Sequence, residues 1–123
     1  MAVVKYAGRF GNLIAAAGRC RSIDLATPCE VFSRVTVQGV AEPYAVMVCG
    51  EARLAKAGAF DLRVPYRLAD AGAAQTLILP GIADPRMPVL GAVLAAVRDA
   101  ARRGARIVSI YTGAFVLAAT SLP

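Results

Sequence analysis

Histidine and tryptophan are absent from this chain of 123 residues, and cysteine occurs only three times. Without histidine, the chain contains no Cys–His or Ser–His dyad and lacks the side chain on which most zinc sites depend. Cys20, Cys29 and Cys49 share no metal-like spacing, and their odd number favours free thiols in a reducing compartment over a disulfide. We therefore expect no metal site and no cofactor.

Long apolar runs are absent as well. No stretch approaches the roughly 18–20 residues that a membrane-spanning helix needs. The short run "LIAAAG" near the N-terminus is too brief for a signal peptide, and arginines follow it directly. We therefore expect a cytoplasmic protein with no membrane contact. Apolar residues make up 58% of the chain, which argues against disorder, and the length allows one domain with a modest core.

Acidic residues are missing from the first 23 positions, and Asp24 is the first of the eight. That segment holds four basic residues: Lys5, Arg9, Arg19 and Arg21. The rest of the chain has ten basic and eight acidic residues, so the net charge of +6 belongs mainly to the N-terminal segment. Neither clustered aromatic residues nor a helix-turn-helix pattern accompanies this segment. We expect it to be solvated, and we expect no direct nucleic-acid binding.

Three apolar runs predict strands that are buried on both faces: residues 44–50, 76–81 and 107–110. Residues 12–18 form a weaker candidate for a first strand, and residues 52–68 have weak hairpin character with Gly58 at the turn. Helical patterns separate the stronger runs, including one or two turns within residues 68–74. Strands that alternate with helices predict an α/β fold with a mostly parallel sheet.

The first predicted helix begins near Asp24. Either Asp24 or Thr27 is suited to cap it, and Pro28 is suited to its first turn. The helix is expected to end before residue 38. Its predicted apolar positions are Cys29, Val31, Phe32 and Val35.

The strongest helical pattern covers residues 84–105, where Gly104 provides the end. Its predicted buried stripe consists of Val89, Leu90, Val93, Leu94 and Val97. Its predicted solvent-facing residues are Arg98, Arg102 and Arg103. A further helix is expected over residues 112–119.

Tyr111 stands where the strand at 107–110 turns directly into the helix at 112–119. A corner of this kind presents its side chain beside free backbone N–H groups and the positive end of a helix. A thiol at such a position loses its proton easily, whereas a tyrosine with an ordinary pKa of about 10 does not. The corner alone also fits an ordinary strand–helix junction.

Three stretches resemble one known family in their residues and in their order along the chain: "IDLATPCEVFSRV", "TLILPGIADP" and "ARRGARIVSIYTGAFVLAA". They are similar to the DJ/PfpI-like domain of the class I glutamine amidotransferase-like superfamily. This domain forms the N-terminal half of certain AraC-type transcriptional regulators. The resemblance covers residues 22–122 well and residues 1–21 poorly, so we divide the chain into a poorly matched segment 1–21 and a partial domain 22–123. It implies a three-layer, flavodoxin-like α/β sandwich that is incomplete at its C-terminus.

The resemblance also implies a site. Tyr111 occupies the place of the nucleophilic cysteine, and Asp24 that of the acidic residue facing it. Backbone N–H groups near Gly81 and Ile82, and that of Thr112, lie where an oxyanion hole would form. Tyr111 is then expected to fill or cover the pocket, with its hydroxyl reaching Asp24. The ligand-pocket candidates are Asp24, Gly81, Ile82, Tyr111, Thr112 and Gly113.

The departures from the family pattern point away from catalysis. The corner cysteine is replaced by Tyr111, the second glycine found after "PG" in the enzymes is Ile82, and the family's histidine is missing. The remaining strands and the DNA-binding helix-turn-helix pair would lie beyond Pro123. We therefore expect no enzyme, but a ligand-sensing or interaction domain that forms homo-oligomers or pairs with a full-length relative.

Two alternatives remain open at this stage. One is a small cysteine-type amidase or hydratase of the same superfamily, for which Tyr111 and Cys29 are poor nucleophiles. The other is a truncated remnant without function, since cutting a doubly wound sheet exposes strand edges and apolar surface.

Overall fold

The computed structural model describes residues 2–5, 13–15, 20–56 and 59–122. The strands in this part of the chain are β1 (Ala2–Lys5), β2 (Leu13–Ala15), β3 (Ala45–Gly50), β4 (Leu54–Lys56), β5 (Asp61–Arg63), β6 (Tyr66–Arg67), β7 (Thr76–Leu79) and β8 (Arg106–Ser109). The helices are α1 (Ser22–Ser33), α2 (Gly91–Arg102) and α3 (Gly113–Ala119), with a 3₁₀ helix at Leu68–Ala73.

The chain has an α/β fold, as the sequence predicted, but its main sheet is mixed. Six strands follow the order β6-β3-β1-β2-β7-β8. The pairs β3–β6, β2–β7 and β7–β8 are parallel, whereas β1 is antiparallel to β2, β3 and β7. The sequence did not predict β1. Only seven residues separate it from β2, which suits an antiparallel turn and is too short for a parallel crossover.

Both faces of β7 are covered by apolar side chains. Leu77 and Leu79 are fully buried in one cluster with Val97 of α2 and Val116 of α3. Ile78, which points to the opposite face, is buried in a second cluster with Leu25 of α1. The two-residue alternation of a strand therefore places α2 and α3 on one side of β7 and α1 on the other.

The start of α1 differs from the sequence prediction. Neither Asp24 nor Thr27 caps the helix, since Arg21 is the N-cap residue and makes no side-chain capping hydrogen bond. The N–H of Arg21 donates to the carbonyl of Gly81 at 2.7 Å, and the carbonyl of Arg21 accepts from the N–H of Asp24 at 3.1 Å. This tie to the end of β7 fixes where the helix begins, and as a result Pro28 lies inside α1 rather than in its first turn.

The apolar face of α1 is also shifted from the predicted one. Leu25 and Pro28 are its buried residues, whereas Val31 is 55% exposed. Cys29 and Phe32 are half-buried and pack against the second cluster, as expected of a core-facing position. Val35 lies beyond the helix, which ends at Ser33 because Arg34 is its C-cap residue.

Helix α2 is shorter than its sequence pattern. It begins at Gly91, so Val89 and Leu90 precede it, and Leu90 is 55% exposed instead of buried. Val93 and Val97 are buried as predicted, and Leu94 is half-buried. Pro85 and Pro88 disfavour the helical region at residues 84 and 87, which accounts for the absence of helix before residue 88.

The sequence predicted that Arg98 faces water, but its side chain binds backbone carbonyls instead. Its Nε donates to the carbonyl of Thr120 at 2.9 Å, and its Nη2 donates to that of Ala119 at 3.4 Å. Ala119 ends α3 and Thr120 is its C-cap residue, so neither carbonyl has a partner within the helix itself. Arg98 thereby joins the C-terminus of α3 to α2, while Arg102 and Arg103 are exposed as expected.

The sequence predicted that β8 is buried on both faces, but the structure shows it partly exposed. Val108 is 41% exposed, and exposed residues alternate with half-buried ones along the strand. The reason is its position at the edge of the sheet, where β7 is its partner on one side. Strand β3 is likewise half-buried over Ala45–Val48 and buried only at Cys49 and Gly50.

The weaker sequence predictions are met in part. Strands β4 and β5 pair antiparallel as a hairpin, and the predicted turn residue Gly58 lies outside the described residues. The expected helical turns at 68–74 form the 3₁₀ helix. Within the candidate strand at 12–18, Leu13–Ala15 is β2 and the remaining positions lie outside the described residues.

The Leu77→Ala substitution is expected to lower the free energy of unfolding by about 2–5 kcal/mol, because it opens a cavity in the cluster beneath α2. Leu54→Ala is the matched control, since Leu54 is 66% exposed on β4 and should change stability by less than about 0.5 kcal/mol. Urea unfolding followed by circular dichroism measures both. Equal effects of the two variants would contradict the burial described here.

Candidate functional site

The corner at Tyr111 has a left-handed backbone. Tyr111 has a φ of 52° and a side chain that is 70% exposed. This conformation costs a residue with a Cβ roughly 1–2 kcal/mol. The N–H of Gly113 donates to the carbonyl of Ile110 at 2.9 Å, which closes the turn across the corner. The strand–corner–helix junction is therefore present and presents the side chain of residue 111 outward.

Gly113 allows the first turn of α3 to lie directly on the end of β7. A Cβ at this position would overlap the carbonyl oxygen of Leu79 and lie 2.8 Å from that of Pro80. Both atoms belong to the backbone, so neither neighbour could move aside easily. A glycine after the corner is thus a steric requirement of this junction.

Thr112 links the corner to the loop after β7. Its Oγ1 donates to the carbonyl of Ile82 at 2.9 Å and accepts from the N–H of Ile82 at the same distance. The N–H of Ile82 is therefore used inside the fold. A reacting oxygen would have to displace the threonine hydroxyl to reach this N–H, so Ile82 does not offer a free oxyanion donor here.

Gly81 is in close contact with the carboxylate of Asp24. A Cβ on Gly81 would overlap Asp24 Oδ2, and it would also lie 3.1 Å from Arg21 Cδ and from Thr112 Oγ1. The structure thus brings the predicted residues Asp24, Gly81 and Thr112 together around one point. That these residues form a ligand pocket stays a prediction of the resemblance.

Asp24 lies in the first turn of α1, and its side chain is only 15% exposed. Its Oδ2 is buried and has no hydrogen-bond partner within the described residues. Arg21 Nε lies 3.5 Å from this oxygen, and the positive end of the α1 dipole faces it. Asp24 is therefore held by charge rather than by a short hydrogen bond.

Tyr111 contacts Arg21 and does not cover the pocket as predicted. The guanidinium carbon of Arg21 lies 5.0 Å from the centre of the Tyr111 ring, a cation–π contact. The exposed ring does not fill a cavity, and the predicted hydrogen bond to the buried Oδ2 of Asp24 is not formed. Arg21 thus lies between the tyrosine and the carboxylate and contacts both.

Arg21 is the functional candidate that sequence reasoning missed. It was counted only as part of a solvated basic segment. Its spacing of three residues from Asp24 was the available signal, because residues i and i+3 are neighbours on a helix.

The three cysteines are free thiols, and burial raises the pKa of each. The effect is largest for Cys49, whose pKa is raised to about 12. Cys20 lies next to Arg21 in the chain, in an isolated bridge with Ile82, yet only 4% of it is exposed. These thiols stay protonated at neutral pH and are therefore weak nucleophiles.

An apolar cleft of about 480 Å³ lies beside the corner. Ile82 and Cys20 line it from the loop after β7 and the start of α1, and Val116 lines it from α3. Met87 and Leu90, which are 49% and 55% exposed, form the outer wall before α2. The volume is sufficient for a small molecule.

These features define an α/β domain whose candidate site is a strand–corner–helix junction beside an apolar cleft. The fold is similar to the crystal structure of a "putative transcriptional regulator protein" from Vibrio parahaemolyticus, with a TM-score of 0.70 and 22% sequence identity. The match covers 89% of this chain and 61% of the other, so the chain spans about three fifths of that protein's length. At this identity the likeness shows a shared fold. No family model matches the sequence. No curated protein matches it either.

None of the helices within the described ranges is long and apolar enough to cross a membrane. Among the same residues, no three acidic or cysteine side chains come together in a way that could hold a metal ion.

The Gly81→Ala substitution is expected to lower the free energy of unfolding by about 1–3 kcal/mol, because the new methyl group overlaps the Asp24 carboxylate. Gly91→Ala is the matched control, since a Cβ at Gly91 meets no atom within 4 Å. We expect that control to be neutral or slightly stabilising. Denaturant unfolding measures both changes.

A double variant tests the cause of this effect. Combining Gly81→Ala with Asp24→Ala should reduce the cost of the added methyl group, since its closest neighbour is then removed. An unchanged cost in the Asp24→Ala background would show that Asp24 is not the obstacle.

The Tyr111→Gly variant is expected to be more stable than Tyr111→Ala by about 1 kcal/mol, because both lose the ring but only glycine accepts a positive φ freely. The same pair at Phe115, an exposed position inside α3, should show the opposite order by about 1 kcal/mol. Thermal unfolding of the four variants provides the comparison. The same order at both positions would contradict a left-handed corner.

Proposed function

We propose that this protein is a catalytically silent, PfpI-like domain that senses a ligand or mediates an interaction and is related to AraC-type transcriptional regulators. The proposal rests on the backbone geometry and the side-chain contact at the Tyr111 corner. Its left-handed backbone presents Tyr111, whose ring is held by Arg21 instead of by a catalytic partner. Beside it lies the apolar cleft bordered by Ile82 and Val116.

Regulator ancestry draws support from the structural likeness. The similar fold belongs to a protein described as a transcriptional regulator, and this chain matches about three fifths of it. Apolar clusters on opposite faces of β7 fit the three-layer, flavodoxin-like sandwich that we propose for the domain. Within that scheme, residues 22–123 form the recognised part of the domain and direct nucleic-acid binding is not expected of it.

The state of the candidate nucleophiles supports the absence of catalysis. The raised thiol pKa values leave little thiolate at neutral pH, and the Tyr111 hydroxyl makes no hydrogen bond to the buried Oδ2 of Asp24. The N–H of Ile82, which catalysis would need as an oxyanion donor, is bonded to Thr112. The free thiols also fit the cytoplasmic location that we propose.

The proposed partner is a second copy of the chain or a longer relative. Strand β8 is at the sheet edge, where Val108 is 41% exposed. Phe115 on α3, which follows β8 directly, is 55% exposed. An exposed strand edge with apolar side chains favours pairing with another chain.

The ligand-sensing role can be tested by filling the cleft. Uncharged amide and aromatic compounds should raise the melting temperature of the protein, and Ala83→Trp should abolish the effect because Ala83 lines the cleft. The control is Ala95→Trp, at an exposed position of α2 outside the cleft. Compounds that stabilise Ala83→Trp as well as the unchanged protein would contradict binding at this site.

Catalytic silence is tested separately with amide and isonitrile substrates. We expect no turnover above that of heat-denatured protein, and slow alkylation of the native thiols by iodoacetamide at neutral pH because the thiols are protonated. Turnover that disappears in Tyr111→Phe would overturn this part of the proposal.

A further inference from the structure

A second cleft, separate from the corner at Tyr111, opens at the carboxyl end of β3. Its volume is about 550 Å³, which lies in the range of small-molecule sites. Gly50 ends β3 at this point and is paired with Arg67 of the parallel strand β6. Ligands of α/β sheets commonly bind outside the carboxyl ends of parallel strands, and this cleft has that position.

Three arginines line this cleft: Arg53, Arg63 and Arg67. Glu51 is the acidic residue in the same lining, so the cleft carries a surplus of two positive charges. The ion pairs formed within the described residues involve Arg21, Arg34, Arg86 and Arg103, and none of the three cleft arginines. Their guanidinium groups are therefore not neutralised by a carboxylate of the described chain.

The backbone places Arg53 and Arg63 close to each other. Arg63 of β5 is the register partner of Leu54 on β4, directly after Arg53 in the chain. The carbonyl of Arg53 accepts the N–H of Val64 at 2.7 Å. Asp70 is the carboxylate nearest in sequence to Arg67, and its Oδ2 accepts the backbone N–H of Arg67 at 2.8 Å. The pairing of β4 with β5 thus brings Arg53 and Arg63 to the same end of the hairpin, and Arg67 borders the same cleft from β6.

We propose that this cleft binds a small organic dianion through Arg53, Arg63 and Arg67. Guanidinium groups match carboxylate and phosphate oxygens in paired hydrogen bonds, and two negative charges match the surplus of the lining. Ala92, in the first turn of α2, also borders the cleft, so the positive end of that helix adds to the attraction. Tyr66 supplies an aromatic ring that is 40% exposed for the body of the ligand.

The test uses succinate and inorganic phosphate as separate probes in isothermal titration calorimetry at constant ionic strength. We expect saturable binding of at least one, and Arg63→Gln and Arg67→Gln should each weaken it about tenfold or more. A response to succinate alone assigns carboxylates to the cleft, and a response to phosphate alone assigns phosphate groups. Arg53→Gln, at an exposed loop position, provides a third variant if either of the others fails to fold.

Arg102→Gln is the matched control. It removes the same charge from an exposed position in the last turn of α2, ten residues from Ala92, which is about 15 Å along the helix. Binding by this variant should equal that of the unchanged protein. No saturable binding of either probe up to about 10 mM, or equal weakening by Arg102→Gln, would overturn the proposal. The two clefts share Glu51, but Ala83 lines only the other one. Ala83→Trp should therefore leave anion binding unchanged, so this inference fails or holds independently of the proposed sensing role.

Discussion

The close approach of the ends of β7 and β8 is the constraint on which the rest of the candidate site depends. Gly113 lies against the backbone carbonyls of Leu79 and Pro80, and Thr112 exchanges two hydrogen bonds with Ile82. No side chain larger than hydrogen fits at residue 113 without moving main chain. These contacts fix both the start of α3 and the left-handed corner before it. The neighbouring residues Thr112 and Gly113 therefore determine where the side chain of residue 111 points.

A second tie connects this junction to α1. The bond from the Arg21 N–H to the Gly81 carbonyl fixes the helix start, and Asp24 then lies on Gly81 in the first turn. The buried Oδ2 of Asp24 has no hydrogen-bond partner among the described residues, which costs free energy. The half-exposed Arg21 offsets only part of that cost, because its charge is screened by water. Such locally unfavourable groups are concentrated at functional sites.

The sequence was sufficient for the parts of the fold that depend on local pattern. The cores of β7, α2 and the corner at Tyr111 were predicted because their apolar spacing and glycines are local signals. The burial of β8 was not, since it depends on which strand lies beside it. The role of Arg21 and the start of α1 depend on a hydrogen bond to Gly81, 60 residues away in the chain, which no local pattern records.

The corner also explains how a tyrosine can stand where the resembling family has a cysteine. The left-handed φ is imposed by Gly113, Thr112 and the turn bond to Ile110, none of which involves the side chain at 111. Cysteine and tyrosine both carry a Cβ, so a positive φ costs the two residues a similar amount of free energy. What changes is the chemistry at the tip of the side chain. A cysteine at this position would interact with the Arg21 guanidinium as a thiolate. The tyrosine instead interacts with the guanidinium through the face of its ring. The same cation that would stabilise a thiolate therefore stabilises the exposed ring instead.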